Sequence, residues 1–394
     1  MRNIIHPLLY LTLSVNYLLA QFNSSVEVSS TLDDNVFRSP IPVEDVITDL
    51  DLDLGYRFTN SNFHIYYNAN LIFYQNLKER NLSLHRIGLS YFKPFGNEDR
   101  HTFFIGANGL ARFDGVEYQE YDYNQLYTYA NIRFDFDYLF LKVGYNFRYR
   151  DYTNLPELNN LQHYVFLQAN KSFETRTTLI LEADLGYKSF TSHVYFTTNK
   201  QTSDSSGGSG QGPGGPSSGF SFPVTVSADI PPMSHAIIIA RIAQSIFDQM
   251  GVYFQYRKQI NLSNQITSVS GSAFYQDEEL FDDPFSYESQ GLSTQLTWMM
   301  PWSLRLQLGG SYIDKNYIEE IAFTSIDDSV GSGGSRIDNQ ENLYFNLTKT
   351  FSVKKNWLNT LLINFYIGYT LNKSNSYWYK YENRIIGGGV QWRF

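Results

Sequence analysis

The chain has 394 residues, with 30 Lys+Arg against 39 Asp+Glu and no cysteine. A net charge of −9 argues against a nucleic-acid partner, which wants a basic patch. The lack of cysteine excludes a disulfide framework, a thiolate zinc site and thiol catalysis.

The first twenty residues read as an export signal. Arg2 gives a positive start, and "IIHPLLYLTLSVNYLLA" is an apolar run ending at Ala20 before Gln21. A membrane anchor helix is the alternative, but His6, Pro7 and Asn16 interrupt the run. The expected division is a signal peptide at 1–20 and one domain at 21–394. After Ala20 nothing approaches the ~18 apolar residues of a membrane helix.

From residue 23 onward the dominant signal is alternation of period two. Residues 46–58, "VITDLDLDLGYRF", set Leu50, Leu52, Leu54, Tyr56 and Phe58 on one face and Asp49, Asp51 and Asp53 on the other. The next segment sets Phe63, Ile65, Tyr67, Ala69, Leu71 and Phe73 against His64, Tyr66, Asn68 and Asn70. Segments 139–150, 177–188 and 361–371 repeat the pattern with Val143 and Tyr145, Leu181 and Leu185, and Phe365 and Ile367 on their apolar faces. Globular strands average roughly five or six residues, whereas membrane-spanning strands need about nine to eleven. The length of these segments favours a membrane barrel over a sandwich.

Connections alternate between short and long. Short ones fall near 59–62, 94–101, 137–138, 174–176, 246–250, 299–302 and 352–357. Long ones fall near 38–45, 76–81, 115–122, 152–160, 191–235, 261–287, 316–340 and 372–379. Seven short turns and eight long loops predict an all-β fold: a transmembrane antiparallel up-and-down β-barrel of about sixteen strands, with short periplasmic turns and long outer loops. The low-complexity stretch 203–219 reads as the tip of the long extracellular loop 191–235. Phe58, Phe63, Phe92, Phe136, Tyr138, Phe140, Phe173, Phe247, Trp298, Trp302 and Phe351 recur at the short turns, as an interfacial girdle would.

The aspartate ladder admits three readings: a calcium loop, a solvated sheet face or a pore wall. A calcium loop needs glycine at the sixth position and glutamate at the twelfth, where Leu54 and Asn60 stand. Same-face strand neighbours lie roughly 7 Å apart, and two acids there repel by about 0.6 kcal/mol in water and several times more in a poor dielectric. With the leucines turned to lipid, the wet face is the lumen. The same parity predicts an acidic lumen wall of Glu27, Asp33, Asp49, Asp51 and Asp53. A basic wall of Arg86, Arg112, Arg133, Lys142, Arg148 and Arg150 follows on strands four to seven. Cross-strand pairing that fills the interior is the competing account of these charges.

The chain ends "GGGVQWRF". This end resembles the assembly signal of bacterial outer-membrane β-barrels, in which a terminal aromatic follows another aromatic and a glycine at fixed spacing. Phe394, Trp392 and Gly389 take those places; the pattern's polar residue is replaced by Gly387. Near the start, "TLDDNVFR" (31–38) is similar to opening strands of porin-like barrels, some tied to surface polysaccharide loci. The resemblance implies location in the bacterial outer membrane, recognition by the barrel assembly machinery, and contact with outer-membrane lipid and lipopolysaccharide.

The expected function is a porin-like channel passing small hydrophilic solutes with weak anion preference, without cofactor or metal. Homo-oligomerisation is compatible with it. The alternative is a non-conducting barrel serving in surface polysaccharide export or as a binding or anchor partner. An enzyme is not expected: Ser192 with His193 and Ser234 with His235 are adjacent in sequence, which is not triad geometry. The acidic stretches 275–288 and 324–330 read as solvated loops.

Overall fold

The computed structural model describes residues 22–58, 61–191, 231–263, 284–355 and 358–394. The segment 1–20, the stretch 203–219 and most of 191–235 and 275–288 lie outside them.

Among the described residues sixteen strands form one closed antiparallel barrel in which sequence neighbours pair and the first strand meets the last. They are β1 (Phe22–Asp33), β2 (Asp45–Arg57), β3 (Phe63–Tyr74), β4 (Leu82–Phe95), β5 (His101–Asp114), β6 (Tyr123–Asp135), β7 (Phe140–Tyr152) and β8 (Asn160–Ser172). Then come β9 (Thr177–Phe190), β10 (Met233–Phe247), β11 (Met250–Asn261), β12 (Tyr287–Met300), β13 (Leu304–Ile321), β14 (Ser335–Lys355), β15 (Leu358–Ser374) and β16 (Tyr381–Arg393). Closure runs from Ser25 opposite Arg393 to Asp33 opposite Ile385.

The alternation produces a two-faced wall. Directly opposed residues share a face. Leu50 faces Val28 and Leu71, and Leu343 faces Gly310 and Tyr369. This outer face is bare: Ile87, Leu185, Phe254 and Leu343 are all more than half exposed. In water such a surface would collapse or aggregate. In hydrocarbon it is the stable arrangement, and closure leaves no unpaired edge. The barrel is therefore a membrane-spanning wall.

Short turns close one rim and long connections the other, as the spacing predicts. Loops L1 (34–44), L2 (75–81), L3 (115–122), L4 (153–159), L7 (322–334) and L8 (375–380) share the long-loop rim with the described ends of L5 (191–232) and L6 (262–286). One boundary differs: β13 and β14 run to Ile321 and from Ser335, beyond the expected loop 316–340. With β15 they have 18, 21 and 17 residues: β14 with β15 runs past the start of β13 at the short-turn rim, and β13 and β14 rise above β12 at the long-loop rim. The polar outward residues Asp314, Asn339 and Lys373 break the hydrophobic alternation there, which made the extension read as loop.

The short-turn girdle is present, with Phe58, Phe63, Phe173, Phe247, Trp298 and Trp302 exposed. Trp302 sits in the turn 301–303 with φ of 62° and is 80% exposed. Left-handed φ in a tryptophan is strained, and here it holds the ring out from the wall. Phe92 and Phe140 are exceptions to the girdle. Phe92 opposes Phe104, and Phe140 opposes Asp135 and Asn170, so both belong to the inner face.

Candidate functional site

The inner face is the polar one, and every strand contributes to it. The register sets Glu27 opposite Asp51, Ser25 opposite Asp53 and Ser29 opposite Asp49. On the other side of β2, Asp51 opposes Asn70 and Asp53 opposes Asn68. The acids draw donors from these neighbours. Asn70 donates to Asp51 at 2.6 Å, Ser25 and Asn68 donate to Asp53 at 3.0 and 2.5 Å, and Asn364 donates to Glu27 at 3.2 Å. Asp33 stands at the long-loop end of the same face, accepting from the Asn35 backbone at 2.8 Å and from Asn383. The five acids thus share one face of β1 and β2, half-buried, and Glu27, Asp51 and Asp53 are held by amides and a hydroxyl.

The six basic residues also share the inner face, but the structure divides them. Arg86 and Arg133 are exposed on it. Arg133 rests on the Phe140 ring with Asp135 3.9 Å away, and Lys142 lies 5.2 Å from the Phe166 centroid. Arg148 donates to Gln162. Arg112 and Arg150, by contrast, are buried. Arg112 forms a bidentate pair with Asp114 at 2.7 and 2.9 Å. Arg150 bonds Tyr152 and Gln125 and sits 4.3 Å from the Tyr123 ring centroid. These two charges are consumed by structure, so the expected six-residue basic wall is a four-residue surface beneath a packed rim. The strand pattern shows which way a side chain points, not what a loop later lays over it.

The long loops do that covering. L4 places Leu155 and Leu158 on Leu84, Leu110, Tyr123 and Tyr152 of the inner face. The end of L6 inserts Phe285 against Tyr164, with His235 4.2 Å from it, centroid to centroid. L1, L2 and L3 meet at Arg80, whose guanidinium lies 4.6, 5.7 and 5.3 Å from the rings of Phe37, Tyr74 and Tyr118. Its Nε and Nη1 have no hydrogen-bond partner among the described residues. Burial pushes its pKa below the ordinary arginine value, and nearby Arg112 adds to this while the surrounding tyrosines oppose it. Asp45 fastens L2 by accepting the backbone N–H groups of Asn76 at 3.0 Å and Leu77 at 2.8 Å. On the tall side, Arg336 joins Glu320 at 3.0 Å and Asp338, between the rings of Tyr317 and Tyr379. At the long-loop rim the described parts of L1 to L4, the end of L6, and L7 with L8 therefore pack inward over the strand ends.

Arg80, Asp45, Glu320 and Arg336 were not singled out from the sequence. They lie at strand ends and in loops, where no periodicity marks them. Ser234 and His235 face opposite sides of β10, and Ser234 bonds Ser263, so they form no dyad. His193 and Ser192 lie outside the described residues. In L7, Asp328 turns inward on its own loop, accepting from Thr324, Gly331 and Ser332 at 2.7–3.0 Å. Hydrogen bonds from Thr324 and Ser332 hold its carboxyl far below the usual range. At the opposite rim, Gly389 lies on the inner face opposite Ser29 and Asn364, Trp392 faces outward beside Val26 and Leu361, and Phe394 donates its N–H to Ser24 at 2.9 Å.

The chain matches no family model and no curated protein. Among solved structures it is similar to the outer-membrane protein OpdK of Pseudomonas aeruginosa, with a TM-score of 0.50 and 9% identity over 95% of this chain and 100% of that one. OpdK crystallised with vanillate gives 0.48 and 10% over 95% and 99%. A bacterial polysaccharide outer-membrane secretin gives 0.48 and 7% over 94% and 98%. At such identities the likeness is one of fold, an outer-membrane β-barrel.

Proposed function

We propose that the chain is a bacterial outer-membrane channel that passes small hydrophilic solutes through a charged, water-lined lumen. The observation that carries this reading is the inner face itself. Sixteen strands enclose more space than side chains can fill. That space is lined by the acids of β1 and β2, the cations of β4 to β7 and amides from most strands. Water in the lumen solvates them, and oppositely charged walls bias which ions and dipoles enter.

In this reading the short turns and both ends of the described chain face the periplasm, and the long loops face outside. Lipid and lipopolysaccharide surround the apolar belt, and the assembly machinery reads β16. Ion selectivity is set below the rim by Arg86, Arg133, Lys142 and Arg148 against the acidic ladder of β1 and β2, and with Arg112 and Arg150 removed from the basic side the expected anion preference loses its excess of cations. Purified protein in a planar bilayer tests this directly: discrete ohmic steps are expected, and a silent membrane removes the channel reading.

The inward packing of L4 and the end of L6 favours a second reading, in which the mouth opens only when a partner moves those loops. Such a barrel would serve surface-polymer export or anchor a partner. Loop-deleted protein conducting where the intact protein is silent would select it.

A further inference from the structure

Four inward tyrosines come in two pairs, and in each pair at least one ring lies over a glycine of an intervening strand. Tyr66 on β3 and Tyr129 on β6 reach toward each other across β4 and β5. Each ring lies flat over a glycine of an intervening strand: a Cβ on Gly88 would overlap the Tyr66 ring, and one on Gly106 would overlap the Tyr129 ring. Their hydroxyls hydrogen-bond each other, and Tyr129 also reaches Ser90. Phe104 stacks on Tyr129 with centroids 5.1 Å apart and an interplanar angle of 29°. On the far side, Tyr253 on β11 and Tyr344 on β14 reach across β12 and β13. Tyr344 covers Gly309 and hydrogen-bonds Gln295 and Tyr253.

The two clasps oppose each other. In the strand order β4–β5 and β12–β13 are eight places apart, half of sixteen. Their level also agrees, since Tyr66 and Tyr253 are each the fourth residue of their strand from the short-turn rim. Glycine in a strand weakens it unless something uses the room. Here the room lets a ring lie along the wall, so each clasp offers a flat π face to the lumen instead of a ring edge projecting into it.

We propose that the two clasps are facing walls of a sugar slot, and that the solute class of this channel is neutral oligosaccharide. The proposal rests on the channel reading and names its substrate. A simple ion gains little from broad aromatic faces, whereas a pyranose ring presents C–H patches above and below that pack on the electron-rich face of an aromatic ring. Its hydroxyls need donors and acceptors around that stack. Asn131 beside Tyr129 and Asn346 beside Tyr344 lie on the same inner face, and beside Tyr66 the carboxylates of Asp53 and Asp51, each held by Asn68 or Asn70, add acceptors. Purely apolar sites hold apolar ligands; aromatic faces ringed by amides and carboxylates suit polyols.

The test uses the full barrel in a planar bilayer with maltohexaose as the probe. Transient blocks of the potassium chloride current are expected. Their residence time should fall about tenfold in Tyr66→Ala, and again in Tyr66→Ala with Tyr344→Ala, one favourable ring contact being removed each time. Tyr66→Phe should keep most of the residence time, which separates the π face from the hydroxyl. Gly88→Ala should force the Tyr66 ring off the wall, shorten the blocks and reduce the salt current. A conducting pore that maltohexaose never blocks, or one blocked by tetraethylammonium instead, overturns the proposal. If the barrel carries no current, the channel reading fails by itself; titration calorimetry of maltohexaose into detergent-solubilised barrel then decides the slot. Heat lost on the double substitution upholds it, and no heat with the unaltered barrel overturns it.

Discussion

Glu27 and Asp51 stand directly opposite each other across the β1–β2 pairing, two carboxylates facing without a cation between them. Like charges in that position destabilise a sheet. At about 5 Å the repulsion is about 0.8 kcal/mol in bulk water and larger where burial lowers the dielectric. Asn364 and Asn70 hold one carboxylate each from outside the pair. Asp51→Asn should therefore leave the barrel as stable or slightly more so in a urea melt, and should move the reversal potential toward anions. The triple Asp49, Asp51 and Asp53 to Asn variant should move it further. Glutamate at Arg133 and Arg148 should move it toward cations. An unchanged potential in both sets would mean that these charges do not line the conducting path.

Arg336 is 2% exposed and serves two buried acids, Glu320 and Asp338. Arg336→Met leaves both carboxylates without their cation, which typically costs about 3–5 kcal/mol. The cost should appear as local opening of L7 and L8, because the Tyr377 N–H bonds the Phe323 carbonyl at 2.6 Å and the Phe323 N–H bonds Ser376 at 3.2 Å. Hydrogen exchange of those amides should accelerate by about two to four orders of magnitude, following that cost. Adding Glu320→Leu and Asp338→Leu should restore much of the protection, since an apolar replacement of a buried ion cluster is often neutral. Unaltered exchange in the single variant would show that the cluster does not tie the two loops.

L7 should tolerate acid until Asp328 titrates. Its pKa is depressed in the folded loop by donors from Thr324 and Ser332. A depressed carboxyl contributes stability that is present above the unfolded pKa, about 3.9, and is lost as pH falls toward the folded value. Amide protection at Gly331 and Ser332 should therefore be flat from pH 8 to 5 and decline below pH 4. Asp328→Ala should abolish that protection at every pH. A decline already complete at pH 5 would assign the loop's order to another group.

β16 closes the barrel, pairing with β15 and β1 at once. Deleting Phe394 removes one exposed ring and one hydrogen bond to Ser24, a small loss to the finished fold. Its effect in cells should be far larger if the assembly machinery reads this end: protease-sensitive periplasmic protein in place of heat-resistant barrel. Normal insertion of the deletion would show that the terminal residues are not the signal.

Pattern alone determined the wall. Strict alternation in segments such as 63–73 and 361–371 specifies strands, fixes which side of each faces lipid, and so places Asp49, Asp51 and Asp53 with Arg86 and Arg148 on one face. Turn spacing specifies an even strand number and two unlike rims. These features are local, because a period of two is set by the backbone of each strand alone. What sits opposite what is not local. The facing of Glu27 and Asp51, the rings of Tyr66 and Tyr129 over Gly88 and Gly106, and the diametric position of Tyr253 and Tyr344 all depend on inter-strand register and on closure. The loops are further still from the sequence. Arg80 among three aromatic rings, Arg336 between two acids, and Leu158 over Tyr152 join segments that no periodicity relates. Tertiary packing alone decided that Arg112 and Arg150 are buried under a rim while Arg86 and Arg133 meet water, because burying a charge depends on which neighbouring groups can satisfy it.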